Sequence, residues 1–161
     1  MIRPAIRDDV PAVHRMICEL ADYERGLDQV TATGQDLADA LFGDRPALYA
    51  HVAQEGTEAV GFVLWFLNYS TWVGKHGIYI EDLYVDPRWR RKGIATALLA
   101  ELARICIARG YGRLEWWVLN WNKPAWDFYA SLGAQAMQEW TTHRLTGPAL
   151  RALAAGPDDA P

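Results

Sequence analysis

Cysteine is scarce in this chain. Only Cys18 and Cys106 occur, far apart in sequence, which argues against a disulfide framework or a zinc knuckle. Histidine is thin and scattered: His14, His51, His76 and His143 form no His-Glu-x-x-His string, so each reads as a surface or core residue and no metal is expected. Long, clean apolar runs of the kind that cross a membrane are absent. The chain opens directly on strand-like Ile2-Arg3-Pro4-Ala5-Ile6, so no signal peptide is expected, and the expected location is cytoplasmic. An excess of basic residues is missing as well. Sixteen Lys and Arg face twenty Asp and Glu, for a net charge of −4, which makes nucleic acid a poor partner and cationic small molecules a good one. There is no Gly-x-x-x-x-Gly-Lys-Ser/Thr string for a P-loop. A dinucleotide fingerprint needs three spaced glycines after a strand, and only Gly93 is present.

What is present reads as one α/β domain over residues 1–155, followed by a tail over 156–161 expected to be disordered. Apolar content of 51% and charged content of 22% are globular values. Strands are expected at Ile2–Arg7, Ala47–Gln54, Val60–Asn68, Gly77–Val85, Arg113–Leu119 and Gln135–Leu145. The third of these is almost continuously apolar and should lie centrally, with both faces covered. A first helix runs from Asp8 or Asp9 to about Tyr23, with Val10, Val13, Ile17 and Leu20 at helical spacing. A second starts at Thr33, with Asp36 as its capping-box partner, and ends near Gly43. A third spans Gly93 to about Arg109, with Ile94, Leu98, Leu102 and Cys106 on one stripe. A fourth starts at Asn122 with Pro124 in its first turn, and Gly133 closes it. Pro148–Ala155 forms a further short helix. Eight tryptophans are present, most of them core or interface mass; Trp116 and Trp117, adjacent in a strand, should face opposite ways, one of them toward a subunit contact.

The most informative stretch is Arg90-Arg91-Lys92-Gly93-Ile94-Ala95-Thr96, between the strand ending at Val85 and the third helix. Backbone N–H groups at a helix start lack intrahelical partners, and the helix dipole adds partial positive charge there. A basic, glycine-containing loop at such a place is suited to a phosphate or pyrophosphate. Further along, Glu81 and Asp82 interrupt an apolar strand; a carboxylate buried there needs a partner or a function.

The pattern Arg-x-x-Gly-x-Gly/Ala, read as Arg90, Gly93 and Ala95, resembles the acetyl-CoA loop of the GNAT acetyltransferases. Together with Tyr23-Glu24, Ser70-Thr71-Trp72, Val118-Leu119-Asn120-Trp121-Asn122-Lys123-Pro124 and Phe128-Tyr129 through Gly133, the chain resembles the spermidine/spermine and thialysine branch over about residues 2–145. The resemblance implies a mixed, mostly antiparallel sheet of six to seven strands flanked by helices. It implies acetyl-CoA held by Leu83, Tyr84, Val85, Arg90, Arg91, Lys92, Gly93, Ile94, Ala95, Thr96, Asn122, Lys123 and Pro124. It implies an amine held by Tyr23, Glu24 and Glu81, with Glu81 acting on the amine through water and Tyr129 protonating the departing thiolate. Asp82 is expected to be structural, although a bulge in this strand, common in the family, would alter the face assignment. The chain departs from the polyamine enzymes near its end, where Thr141 stands at their acidic position and Glu139 is only nearby. The implied activity is acetylation of a small primary amine, thialysine- or lysine-like, with polyamine acetylation or a non-catalytic acetyl-CoA-binding module as alternatives. A homodimer with no nucleic-acid or membrane partner is implied.

Overall fold

The structure is a computed structural model that describes residues 1–156. It forms two compact units, Met1–Leu119 and the segment from Asn120 onward. The tail expected to be disordered lies, from residue 157 on, outside the described residues.

The first unit holds a five-stranded sheet in sequential order. Strand β1 is Ile2–Pro4, β2 Tyr49–Glu55, β3 Glu58–Ser70, β4 Lys75–Val85 and β5 Leu114–Glu115. The first four pair antiparallel, and β4 pairs parallel with β5. β3 is central as its apolar run requires, buried from Ala59 to Trp65. Helices α1 (Val10–Tyr23) and α2 (Gly34–Phe42) cover one face of the sheet. Val13, Met16, Leu37 and Leu41 pack there with Val52, Phe62 and Leu64. Helix α3 (Ile94–Ala108) contributes Leu98, Leu99, Leu102 and Cys106 to the core.

Local chemistry explains the boundaries. β1 ends early because Asp9 organises a turn after it. Its carboxylate accepts from the Ile6 amide at 2.8 Å and grips the Arg3 guanidinium at 2.6 and 2.9 Å. Burial opposes ionisation of Asp9, but these donors outweigh it and hold the carboxyl below its ordinary range. The anticipated capping box opens α2: Thr33 Oγ1 accepts from the Asp36 amide at 3.2 Å, and the Asp36 carboxylate accepts from the Thr33 amide at 2.8 Å.

In the second unit, α4 (Lys123–Ser131) starts at Asn122, whose side chain caps the Ala125 amide at 3.3 Å, and α5 spans Gly147–Ala155. Gly133 follows α4 at φ 85°, the left-handed conformation a helix stop commonly uses.

Two strand expectations are corrected. Gln135–Leu145 is exposed throughout and joins no ladder among the described residues, so the sheet has five strands rather than six or seven. Its Trp140, Thr141 and Thr142 favour extended backbone, but a strand exists only where a partner takes its hydrogen bonds. β5 stops at Glu115 instead of reaching Leu119, so Trp116 and Trp117 lie beyond the strand and no ladder sets them on alternate faces.

Candidate active site

β4 and β5 pair only through Ile78 with Leu114 and Tyr79 with Glu115. β4 then runs on for six residues, Ile80 to Val85, with no strand on that side among the described residues. Apart from the Val85 carbonyl, which accepts from Arg90, its edge there offers backbone donors and acceptors without a ladder partner to an extended ligand. Leu83, Tyr84 and Val85, expected to touch the cofactor, belong to this open stretch.

The basic loop follows directly. Asp86 is buried and accepts from the Arg88 amide at 2.9 Å; hydrogen bonds from the Arg88 guanidinium hold its carboxyl below the ordinary range. Arg90 donates through Nε to the Val85 carbonyl at 3.0 Å, and its guanidinium lies 5.7 Å from the centroids of both the Tyr23 and the Tyr84 rings. Arg90 therefore ties the loop to β4 and to the end of α1. Lys92 Nζ sits 4.1 Å over the Trp89 ring, while Arg91 is exposed with φ 59°. Gly93 has φ 77°, a conformation that costs other residues energy, and beyond its chain neighbours no atom of the described residues lies within 4 Å of where its Cβ would stand. Gly93, at the start of α3, brings no side-chain cap. Ile94, Ala95 and Thr96 occupy its first turn, where N–H groups lack intrahelical partners.

Beside this loop lies a cleft of about 590 Å³, lined by residues that include Arg15, Glu19, Tyr23, Tyr84, Arg88 and Arg90. Arg15 pairs with Glu19 at 2.8 Å, and the Tyr84 hydroxyl donates to Glu19 at 3.0 Å. Burial, and then that hydrogen bond, push the Tyr84 hydroxyl up to about 12. Arg15 and Glu19 were not anticipated from sequence. Their spacing with Tyr23 along α1 (i, i+4, i+8) is the signal that was available, since it places all three on one stripe.

The ladder between β3 and β4 slips at the two acidic residues. Leu64 pairs with Asp82 and Trp65 with Ile80, so Glu81 is the extra residue of a β-bulge. Glu81 is exposed and Asp82 half-buried. Burial first, then the Glu81 and Glu24 charges, push the Asp82 carboxyl up to about 7. Glu24, just beyond α1, is exposed, yet partial desolvation raises its carboxyl too. Tyr23, Glu24, Glu81 and Asp82 thus gather around one end of α1 and the middle of β4.

The remaining expected residues belong to the second unit. Asn122 is buried at the start of α4, Lys123 pairs with Asp127 at 2.7 Å, and Pro124 occupies the first turn. Tyr129 is half-buried, its ring 5.2 Å from that of Phe128.

Over residues 14–134 the sequence matches the Acetyltransferase (GNAT) family. The chain belongs to the GNAT acetyltransferase family. It is 38% identical over 165 aligned positions to the thialysine N-epsilon-acetyltransferase of Bos taurus, with 96% of each chain covered. It is 33% identical to the L-ornithine N5-acetyltransferase NATA1 of Arabidopsis thaliana, covering 94% of this chain and 86% of that one. An integron cassette protein from the mobile metagenome of V.cholerae superposes with a TM-score of 0.80 at 28% identity, covering 97% and 98% of the two chains. The protein is an acetyl-transferring enzyme, and its family draws the acetyl group from acetyl-CoA. The features of this GNAT chain fit that donor. An uncapped helix start beside basic side chains suits a pyrophosphate, open space at Gly93 admits it, and the free edge of β4 suits an amide-bearing arm. Among the described residues, no helix is long and apolar enough to cross a membrane, and no group of three His, Cys, Asp or Glu could hold a metal.

Proposed function

We propose that the enzyme transfers the acetyl group of acetyl-CoA directly to a primary amine of a small cationic acceptor, a thialysine- or lysine-like amine, with residues 1–155 acting as one acetyltransferase domain. The observation that carries this reading is the juxtaposition, within the first unit, of the basic glycine loop with Tyr23, Glu24, Glu81 and Asp82. A pyrophosphate seat on the loop that opens α3, next to a carboxylate-lined amine seat at the end of α1 and the middle of β4, would align the two reactants, and alignment alone supplies a large share of such a rate.

In this reading, Arg91, Lys92 and the amides of Gly93 to Thr96 receive the pyrophosphate. Arg90 holds the loop in place, and Leu83, Tyr84 and Val85 present the open edge of β4. Asn122, Lys123 and Pro124 start the helix that carries Tyr129. Tyr23, Glu24 and Glu81 receive the ammonium, and backbone N–H groups of β4 stabilise the developing oxyanion. Tyr129 gives its proton to the departing thiolate; a phenol near 10 is a suitable acid for a thiolate whose conjugate acid lies near 8.5.

The acceptor is tested by assaying free thiol release from acetyl-CoA with thialysine, lysine, ornithine, spermidine and spermine side by side. The proposal expects the highest kcat/KM for an amino acid bearing a terminal side-chain amine. A clear preference for spermidine or spermine would move the assignment to polyamines.

A homodimeric, cytoplasmic enzyme without nucleic-acid or membrane partners completes the proposal. The dimer reading is supported by the aromatic surface: Trp72 is 87% exposed, Trp117 62% and Trp140 66%. A monomer mass by light scattering at micromolar concentration, with full activity, would reject it.

A further inference from the structure

We propose that Asp82, rather than Glu81, takes the proton from the acceptor ammonium. This rests on the amine acetyltransferase reading above. Its basis is the bulge. Strict alternation from Ile80, which pairs with Trp65, would send Glu81 to the face under α1 and Asp82 to the opposite one. The extra residue reverses this, because Asp82 stands opposite Leu64, and Leu64 belongs with Phe62 and Tyr84 to the core face under α1 and α2. The slip therefore sets Asp82 on the face where Tyr84, Tyr23 and Arg90 meet, and leaves Glu81 exposed at the rim.

Its surroundings suit a proton acceptor and not a structural ion. Among the described residues no hydrogen bond or ion pair reaches the Asp82 carboxylate, although it is half-buried. The other buried carboxylates, Asp9 and Asp86, are each held by an arginine and a backbone amide. The charges that face Asp82 are Glu81 on its own strand and Glu24 beyond α1; its partner on β3, Leu64, is uncharged. Arg90 is occupied by the Val85 carbonyl and the two tyrosine rings. Among the described residues no cation pairs with Asp82, and an ammonium supplies one. The carboxyl titrates near 7, far above a free aspartate, which brings its basicity closer to that of an alkylamine and makes it a better acceptor at neutral pH.

In the step, an N–H bond of the ammonium breaks and its proton passes to an Asp82 carboxylate oxygen. The freed lone pair forms the C–N bond to the thioester carbonyl carbon. The C–S bond then breaks with its electrons on sulfur. The thiolate takes the Tyr129 proton, and the tyrosinate recovers one from the new amide nitrogen. The proton left on Asp82 returns to solvent, so one proton is released per turnover.

The test is the pH dependence of kcat/KM for thialysine at saturating acetyl-CoA, in the wild type, Asp82→Asn and Glu81→Gln. The wild type is expected to show a rising limb near pH 7. Asp82→Asn is expected to lose that limb and roughly 10²–10⁴ in kcat, with acetyl-CoA affinity by calorimetry within about threefold. Glu81→Gln is expected to keep the limb and raise the KM for the amine. If Asp82→Asn keeps the limb and most of its kcat, or if the limb disappears in Glu81→Gln instead, the assignment is overturned. If Asp82→Asn does not fold, Asp82→Glu decides: the limb must move in pH while acetyl-CoA affinity stays, and an unmoved limb overturns the proposal. A wild type that acetylates no amine removes the functional reading and this inference together; a wild type that does, with Asp82 silent, removes only the inference.

Discussion

A half-buried carboxylate without a partner among the described residues weakens the fold that holds it, and burial pushes the Asp82 carboxyl up to about 7. An unfolded aspartate titrates near 3.8, whereas in the folded chain Asp82 titrates near 7. The native state therefore holds this proton more tightly. Its contribution to stability is fully present below the unfolded value and is lost as pH rises through about 7. Roughly 4 kcal/mol is the upper bound that such a displacement represents. Asp82→Asn should accordingly melt higher than the wild type at pH 8, and the difference should vanish toward pH 4, as thermal unfolding across that range will show. Equal melting at pH 8 would mean that the carboxylate is not strained. Asp9 has the opposite sign: its lowered carboxyl stabilises at neutral pH and loses that effect in acid. Tyr129 makes the second residue-scale prediction. Tyr129→Phe keeps the ring and removes only the hydroxyl, so turnover should fall by roughly 10²–10⁴ with acetyl-CoA affinity little changed. Near-normal turnover would reduce Tyr129 to packing.

Among the elements, those written in local chemistry were legible. Thr33 and Asp36 fix the start of α2, Asn122 and Pro124 the start of α4, and the apolar stripe of α3 its span. All of these are decided within a few residues of the chain. The bulge at Glu81 was visible only as a family habit, because its position depends on how β3 pairs with β4. Gln135–Leu145 was misjudged for the same reason: extended propensity does not provide a partner. Within the candidate site, the loop could be read because its glycine and basic run are contiguous. Arg15 and Glu19 could not, because the cleft that gives them meaning is made by distant segments. The loop yields the element-scale prediction. A Cβ added at Gly93 meets no atom of the described residues within 4 Å beyond its chain neighbours, so Gly93→Val would act through its φ of 77° and by crowding the pyrophosphate, not by clashing with the core. The variant should remain folded and lose acetyl-CoA affinity at least about tenfold; unchanged affinity by calorimetry would remove the loop from the cofactor site.

At the scale of the molecule, the net charge of −4 and the three carboxylates around α1 and β4 favour a cation, while the basic loop concentrates positive charge where an anion belongs. In the proposed reading, one chain presents complementary seats for an anionic donor and a cationic acceptor. Direct transfer requires both to be filled at once. The most direct test is a two-substrate initial-velocity experiment, with acetyl-CoA and thialysine varied together, thiol release followed, and the product identified by mass. The account predicts intersecting lines and a mono-N-acetylated thialysine formed in step with free CoA. Parallel lines would replace direct transfer with an acetyl-enzyme, and thiol release no faster with the amine than without it would contradict amine acetylation itself.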